Sequence, residues 1–494
     1  MTAPSSTVDE HRKWLVLATV SAGILLATID GSIVNVAFPT LVSELDTTFN
    51  VIQWVSLGYL LTIATLTLGM GRLGDVVGKK TIYAAGFSVF TFASAACGLV
   101  PDVSWLIGFR VVQALGAVMI LALGSAILVE AFPSSERGKA LGWVMTAVSV
   151  GIITGPVIGG ILISSFSWRA IFLVNIPVGI IGTWMAIRFV PRTDPVPGQT
   201  FDFVGALLMS VSLFSLSLAL TVGQDVGFSS PQILSAFAIS AVSAVAFIVV
   251  ELKVESPMLE LRLFRTPMLS VGVVTGILVF ICLSAVFILL PFYLAGVLGF
   301  DVFTMGLLLG VAPVMMGILS PMSGTLSDRI GIRRLTLVGL TIISLTYFAF
   351  LTLNTESSGW QFVALAIPYG IGIGVFQSPN NSAIMGSVPP EYTGVAGGLL
   401  NLTRLLGQIV GIAVLGSIWA TKVAAASGGV LPDGGATSAE PAAQVAGLHA
   451  IFLIAGVIMV IATLIGFWGL REERRVGSQN DSLAGRRQPE SFTE

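Results

Sequence analysis

Apolar runs of about twenty residues recur along almost the whole chain, and a run of that length crosses ~30 Å of hydrocarbon at 1.5 Å per residue. Fourteen can be counted, near 14–37, 51–71, 80–100, 104–128, 138–164, 169–190, 203–222, 232–250, 268–290, 303–321, 334–353, 360–385, 394–420 and 447–470. Lipid offers no partner to a backbone N–H or C=O, so each run must close its hydrogen bonds internally as a helix. An all-α integral membrane protein with fourteen transmembrane helices is expected. Composition agrees, with 55% apolar and 10% charged residues and a mean hydropathy of +0.94. The first run is too long, and too soon followed by others, to be a cleaved signal peptide.

Cytoplasmic loops of membrane proteins are enriched in Lys and Arg. With both termini cytoplasmic, every one of the 24 Lys and Arg falls on that side except Arg169 and Lys422, in outer loops, and Arg110 and Arg404, within spans. Trp54, Trp105, Trp168, Trp360 and Trp419 then fall at outer boundaries, where an aromatic belt is expected. The net charge is −2 and no basic stripe lies outside the cytoplasmic turns, so nucleic acid is not expected as a partner. Cys97 and Cys282 sit in separate spans and suggest neither a disulfide nor a metal site. His11 and His449 are the only histidines. With no metal cluster, Ser–His pairing or phosphate loop in the sequence, neither enzyme chemistry nor a cofactor is expected. The polar tail after Leu470 and the Gly/Ala/Ser-rich loop 424–446 are expected to be flexible.

An internal repeat organises the spans. Gly71, Leu73, Asp75, Gly78 and Lys80 follow the second span, and Gly324, Leu326, Asp328, Gly331 and Arg333 follow the tenth in the same register. If each copy follows the second span of a half, the halves begin at spans one and nine, and spans seven and eight are inserted between them. The resulting 6+2+6 arrangement divides the chain into an N-terminal tail (1–13), a six-helix bundle (14–190), a linker with two extra transmembrane helices (191–267), a second six-helix bundle (268–470) and a tail (471–494). Two parallel six-span repeats rocking about a central site describe an alternating-access transporter.

At these residues the chain resembles the major facilitator superfamily. The segment Gly71 to Lys80 is similar to its cytoplasmic loop motif, and Asp30-Gly-Ser-Ile-Val-Asn35-Val-Ala-Phe-Pro39 is similar to the first-span motif of its fourteen-span drug:proton antiporters. Arg110-Val-Val-Gln113-Ala-Leu-Gly116 resembles the superfamily's fourth-span motif, and Gly151-Ile-Ile-Thr-Gly155-Pro156-Val-Ile-Gly159-Gly160 the fifth-span motif of antiporters. The stretch Trp168 to Gly179, with Asn175 and Pro177, fits the start of span six, and Asn401 to Gly407 is a looser match. The resemblance implies a major-facilitator-type fold and drug:proton antiport.

Each motif has a physical reading of its own. Gly151, Gly155 and Gly159 form one bare helix face that a neighbour can approach closely, and Pro156 removes one backbone hydrogen bond nearby. That suits a hinge or seal, with Gly160 beside it, and equally suits ordinary tight packing; the antiporter resemblance favours the former. Asp75 sits in a basic turn where a helix cap and a topology signal would suffice. The resemblance implies that Gly71, Asp75, Gly78 and Lys80, with Asp328 and Arg333 in the second copy, also latch the cytoplasmic side. Gly74 and Gly78 are too close for a phosphate loop and no strand precedes them.

Asp30 lies inside an apolar span, where a carboxylate is costly and its default reading is a site for an ion, a proton or a cargo. If span one ends near Pro39 and span four begins near Ser104, Asp30 lies roughly 13 Å and Arg110 roughly 9 Å from the outer boundary. Their separation would then decide whether Asp30 holds a proton, with Arg110 and Gln113 tuning its affinity. A purely structural ion pair is the competing reading. Ser32 lies about 200° around the helix from Asp30, so the Ser32/Asn35 edge must face a different neighbour.

In the second half, Gly397, Asn401, Arg404, Gln408 and Gly411 share one helix face, and Gly370, Gly374, Gln377 and Asn381 share another. Polar faces on spanning helices avoid lipid, so Asn35, Gln377, Asn381, Asn401, Arg404 and Gln408 are candidate cargo contacts, with helix-to-helix hydrogen bonding as the alternative. The expected activity is proton-coupled export of small amphipathic compounds. A narrow transporter of one metabolite is the alternative, and a transporter-like receptor or membrane enzyme a remote one. The expected partners are a small molecule, protons and the bilayer of a bacterial cytoplasmic membrane, with the chain acting as a monomer.

Overall fold

The computed structural model describes residues 10–133, 136–192, 202–254, 263–264, 266–388, 393–429 and 435–485, and its regular structure is helical throughout. Fourteen described helices are long and apolar enough to cross a membrane. In chain order they are α1 (Glu10–Glu44), α2 (Trp54–Val77), α3 (Lys79–Leu99), α4 (Val103–Ala131), α5 (Arg137–Ser165), α6 (Asn175–Phe189, its span starting at Ala170) and α7 (Phe203–Val226). There follow α8 (Pro231–Glu251), α9 (Pro267–Phe292), α10 (Val302–Ile330), α11 (Ile332–Ala349), α12 (Gly359–Gly386), α13 (Thr393–Ala426) and α14 (Pro441–Gly485). Short helical turns, Phe49–Ile52 and Ala170–Leu173, lead into α2 and α6.

Local chemistry sets several of the helix starts, because the first N–H groups of a helix have no partner within it. Before α4 the Asp102 carboxylate accepts from the Ser104 and Trp105 N–H groups at 2.9 and 3.1 Å. Before α12, Ser358 and Gln361 cap each other's backbone reciprocally. The turn from α2 to α3 passes through Gly78 at φ 103°, and the turn from α10 to α11 through Gly331 at φ 96°. A Cβ is strained at such angles, so the two glycines of the sequence repeat do the same backbone job.

Packing repeats with the sequence. Helix α1 packs on α5 as α9 packs on α13, α3 on α4 as α11 on α12, α2 on α4 as α10 on α12, and α3 on α6 as α11 on α14. Two six-helix bundles with the same internal arrangement result. The α7–α8 hairpin lies beside both, since α7 rests on α2 of one bundle and α13 of the other.

The bundles meet through α5 with α10, α2 with α13 and α1 with α9. A Cβ on Gly306 would stand 2.7 Å from the Pro156 carbonyl oxygen, and one on Gly160 would stand 2.9 Å from that of Val302, so α5 and α10 touch backbone to backbone. Phe49 closes the same end against Trp419 and Phe292, with ring centroids 4.8 and 5.5 Å away. An even number of spans brings the termini to one side of the membrane, and this seal stands at the opposite, far end.

The structure departs from the sequence reading at particular places. Helix α1 runs through Pro39 to Glu44 instead of stopping near the proline, since one lost backbone bond is tolerated within a membrane helix. Trp105 and Trp360 are exposed as an aromatic belt requires, but Trp168 and Trp419 are buried. Trp419 belongs to the far seal, and Trp168 packs edge-on to Phe172 beneath the Arg169 guanidinium; large rings gain more from protein packing there than from the interface. Beyond Leu470, α14 continues to Gly485, because Arg and Glu are good helix formers and extending an existing helix costs little. In the far loop, Gln444 ties down part of the expected flexible stretch by donating to the Thr437 and Ala439 carbonyls. Residues 430–434 and 486–494, and the tail 1–9, lie outside the described residues.

Candidate functional site

Asp30 is fully buried between α1, α4 and α6, and each of its oxygens has a partner. Arg110 Nη1 donates to Oδ2 at 2.5 Å. Gln113 Nε2 and Asn175 Nδ2 donate to Oδ1 at 2.8 and 2.9 Å. Gln113 also accepts from Arg110 Nη1 at 2.7 Å and donates to Ser94 Oγ at 2.7 Å, so the network includes α3 as well. Arg110 and Gln113 are one turn apart on α4 and reach Asp30 together because positions three apart share a helix face. Arg110 Nε donates to the Val55 carbonyl at 3.2 Å, and its guanidinium lies 4.1 Å from the centre of the Tyr59 ring.

All three side chains that touch Asp30 are donors. A carboxylate accepts from all of them, whereas a protonated carboxyl must turn its single O–H toward an acceptor. Adding a proton therefore weakens this set of contacts, and the bond to Arg110 is the one of the three in which donor and acceptor are both charged. Such a pair is held by mutual dependence, since taking away one partner of a buried ion pair costs ~3–5 kcal/mol.

Arg110, though almost fully buried, also borders a cavity between the two bundles. The cavity has roughly 1580 Å³ free of protein atoms, its open mouth included. It is lined from the first bundle by Asn35, Tyr59 and Arg110, among others, and from the second by Gln377, Arg404 and Gln408. Phe280, Phe287, Met316 and Tyr369 supply apolar wall. Asp30 lies behind this wall. The arrangement places a buried carboxylate and a cavity on either side of one arginine.

The expected cargo residues divide. Asn35, Gln377, Arg404 and Gln408 line the cavity, while Asn381 and Asn401 do not appear in its wall. Asn401 is engaged instead by Arg404, whose Nη2 donates to Asn401 Oδ1 at 3.0 Å, and Asn381 lies a turn beyond Gln377 toward the end that carries the termini.

The fifth-span glycines face α1. A Cβ on Gly151 would stand 2.0 Å from Thr28 Oγ1, one on Gly155 1.8 Å from Ser32 Oγ, and one on Gly159 2.9 Å from Ile33. Ser32 Oγ also donates to the Gly151 carbonyl at 3.1 Å. Helix α1 thus turns Asp30 to α4, Ser32 to α5 and Asn35 to the cavity. Gly160 and the Pro156 carbonyl face α10 and form part of the far seal, so one helix carries both contacts.

At the end that carries the termini, Lys79 pairs with Glu130 and Lys13 with Glu136, so basic residues read as topology markers also tie helices together. Arg333 is buried and its Nη2 donates to the Met268 carbonyl at 2.7 Å, joining α11 to α9. Gly71 has open space around it and Lys80 is half-buried. The side chains of Asp75 and Asp328 lie outside the described residues.

Sequence reasoning gave no role to Asn175, Ser94 or Tyr59. Asn175 stands inside an apolar run, and a lone amide there is the same signal that marked Asp30, only weaker. Ser94 and Tyr59 carry no such signal, because both residue types are ordinary in membrane helices.

A two-bundle helical transporter fold with a buried acid beside a central cavity defines the class, and the comparisons with known proteins agree. The family model of the Major Facilitator Superfamily matches residues 20–412, and the chain belongs to that family. It is a transporter and not an enzyme. Among its relatives, the riboflavin transporter RibZ of Clostridioides difficile is 34% identical over 83% of this chain and 89% of its own length. The multidrug resistance protein Stp of Mycobacterium tuberculosis is 31% identical over 83% of this chain and 76% of that protein. The methylenomycin A resistance protein of Streptomyces coelicolor is 31% identical over 81% and 85%. Among solved structures, an inward-facing, unoccupied bacterial homologue of the human lysosomal transporter Spinster matches with a TM-score of 0.66 at 16% identity, covering 94% of this chain and 98% of that one.

Proposed function

We propose that this chain exports small amphipathic compounds in exchange for protons, by alternating access across a bacterial cytoplasmic membrane. The observation that carries the reading is the position of Arg110, which donates to the buried Asp30 and also lines the central cavity. A proton arriving at Asp30 loosens Arg110, whereas a cargo seated against the cavity wall holds Arg110 on the ionised Asp30, so each ligand disfavours the other as exchange requires. Two ligands that act on one group are thermodynamically coupled, each changing the other's affinity by the same factor. With the basic loops taken as cytoplasmic, the far seal is external and the cavity faces inward. Loading of cargo from the cytoplasm and later protonation of Asp30 from outside complete the cycle.

The resistance proteins among the relatives support export, and their names set no single cargo. A second reading, a narrow transporter of one metabolite, is favoured by the relative named as a riboflavin transporter. The experiment is a panel. Purified protein in proteoliposomes with a pH gradient and an internal pH dye is offered lipophilic ions, neutral antibiotics and ordinary metabolites in turn. Proton movement on adding several unrelated amphiphiles supports the broad exporter, a response to one metabolite alone supports the narrow one, and flux of cargo without proton movement removes antiport.

A further inference from the structure

The cavity wall is unequal in charge. Two arginines line it, Arg404 and the almost fully buried Arg110, and among the described residues no Asp or Glu does. Arg110 is answered by Asp30, but that carboxylate is buried behind it with both oxygens occupied and presents nothing to the cavity. Arg404 has a neutral partner, the amide oxygen of Asn401 at 3.0 Å. Among the described residues it forms no ion pair.

An intramembrane cation without a carboxylate is expensive to keep, and its default explanation is a ligand that supplies the missing charge. Arg404 stands some 16 Å along α13 from Thr393, well away from either helix end where its side chain could reach water by snorkelling. Gln408, one turn further along the same face, and Gln377, across from it on α12, give neutral hydrogen-bonding groups in the same cavity. A guanidinium fork matches the two oxygens of a carboxylate or sulfonate, and the apolar wall from Phe280, Phe287 and Met316 matches a ring system attached to it.

We infer that the preferred cargo is an organic acid, an aromatic or otherwise apolar body bearing one carboxylate, sulfonate or phenolate, anchored by Arg404. The inference rests on the reading of this cavity as the cargo site. A lipophilic cation would meet positive charge and no accessible acid, in surroundings of low dielectric where like charges repel strongly. Recognition of this kind uses attraction for one class and repulsion of the other at a single residue.

Fluorescein and rhodamine 6G make the test, being xanthene dyes of similar size and opposite charge. Flux of each is measured in the same proteoliposome preparation of the full chain under a pH gradient, and the anion-to-cation ratio is taken, so that loss of folded protein cancels. The wild type should favour fluorescein, Arg404→Gln should lower the ratio by about tenfold or more, and Arg404→Lys, which keeps the charge but not the fork, should fall between them. Equilibrium binding of fluorescein to detergent-solubilised protein should weaken in the same order. Transport of rhodamine 6G but not fluorescein, or of neutral amphiphiles but neither dye, would overturn the acidic-cargo inference and leave the exporter standing. An unchanged ratio in Arg404→Gln would overturn Arg404 as the anchor. Flux of no compound at all through protein with an undisturbed unfolding transition would remove the exporter reading and this inference together.

Discussion

Asn175 Nδ2 donates to Asp30 Oδ1 at 2.9 Å, so the first residue of α6 and the acid at the heart of α1 share one hydrogen bond across two helices. The contact gives Asp30 a neutral donor that does not depend on Arg110, and so holds the carboxylate in place when the ion pair opens. Replacing Asn175 with Ala leaves a buried, charged acceptor short of a donor, and should cost about 1–3 kcal/mol of stability. Thermal unfolding in detergent measures it. An unchanged transition would show that water takes the place of the amide.

Arg110→Gln should destabilise by about 3–5 kcal/mol, because it strands Asp30 as an uncompensated buried charge. Asp30→Asn combined with Arg110→Gln should regain much of that stability, since both charges are gone. Transport tells the two readings of the pair apart. If the double variant recovers proton-driven transport along with its stability, the pair is structural and the coupling lies elsewhere.

Gly155→Val should loosen α1 from α5. Even a Cβ at Gly155 would stand 1.8 Å from Ser32 Oγ and 3.1 Å from the Ile33 backbone nitrogen, so overpacking of about 1–3 kcal/mol is expected. Gly108→Ala is the control: nothing lies within 4 Å of a Cβ there, and alanine should be neutral or slightly favourable in a helix. Equal unfolding temperatures for the two variants would contradict the close approach of α1 and α5.

Gly306→Leu should prevent the far seal from forming, because its Cβ alone would lie 2.7 Å from the Pro156 carbonyl oxygen and 3.0 Å from the Gly160 Cα. The bundles are then held apart at that end and the opposite conformation gains population. A cysteine placed at Ser56, in the cavity wall, should react faster with an impermeant maleimide added from the far side in the Gly306→Leu background. The native Cys97 and Cys282 are buried and contribute little background. No change in labelling would mean that the α5–α10 contact does not gate the cavity.

Much of this architecture is legible in the sequence because a membrane leaves few options. Fourteen apolar runs become fourteen helices, and the repeated Gly78 and Gly331 predict the eight-helix shift that the packing shows. Asp30 and Arg110 are legible for the same reason, since charge in lipid needs a partner and helix depth limits the choice. What fails is whatever depends on which way a helix is turned. Trp168 and Trp419 have the right height for an interfacial belt but face inward, and Asn401 shares a face with Arg404 yet is turned to it and away from the cavity. Height along the membrane can be counted in residues, whereas rotation is set by packing against partners distant in the chain, as Gly155 against Ser32 shows.

The central claim is that Asp30 converts a proton gradient into cargo movement, and the most direct measurement separates driven transport from passive exchange in one pair of proteins. Wild type and Asp30→Asn are reconstituted at equal density, and each is assayed for proton-driven accumulation of a cargo found in the panel and for exchange of labelled against unlabelled cargo with no gradient. Asp30→Asn should lose accumulation while the fraction that folds retains exchange, because Arg404, Gln408 and Gln377 still line the cavity although Arg110 has lost its counter-charge. Accumulation by Asp30→Asn against a cargo gradient, driven by protons as in the wild type, would contradict the account.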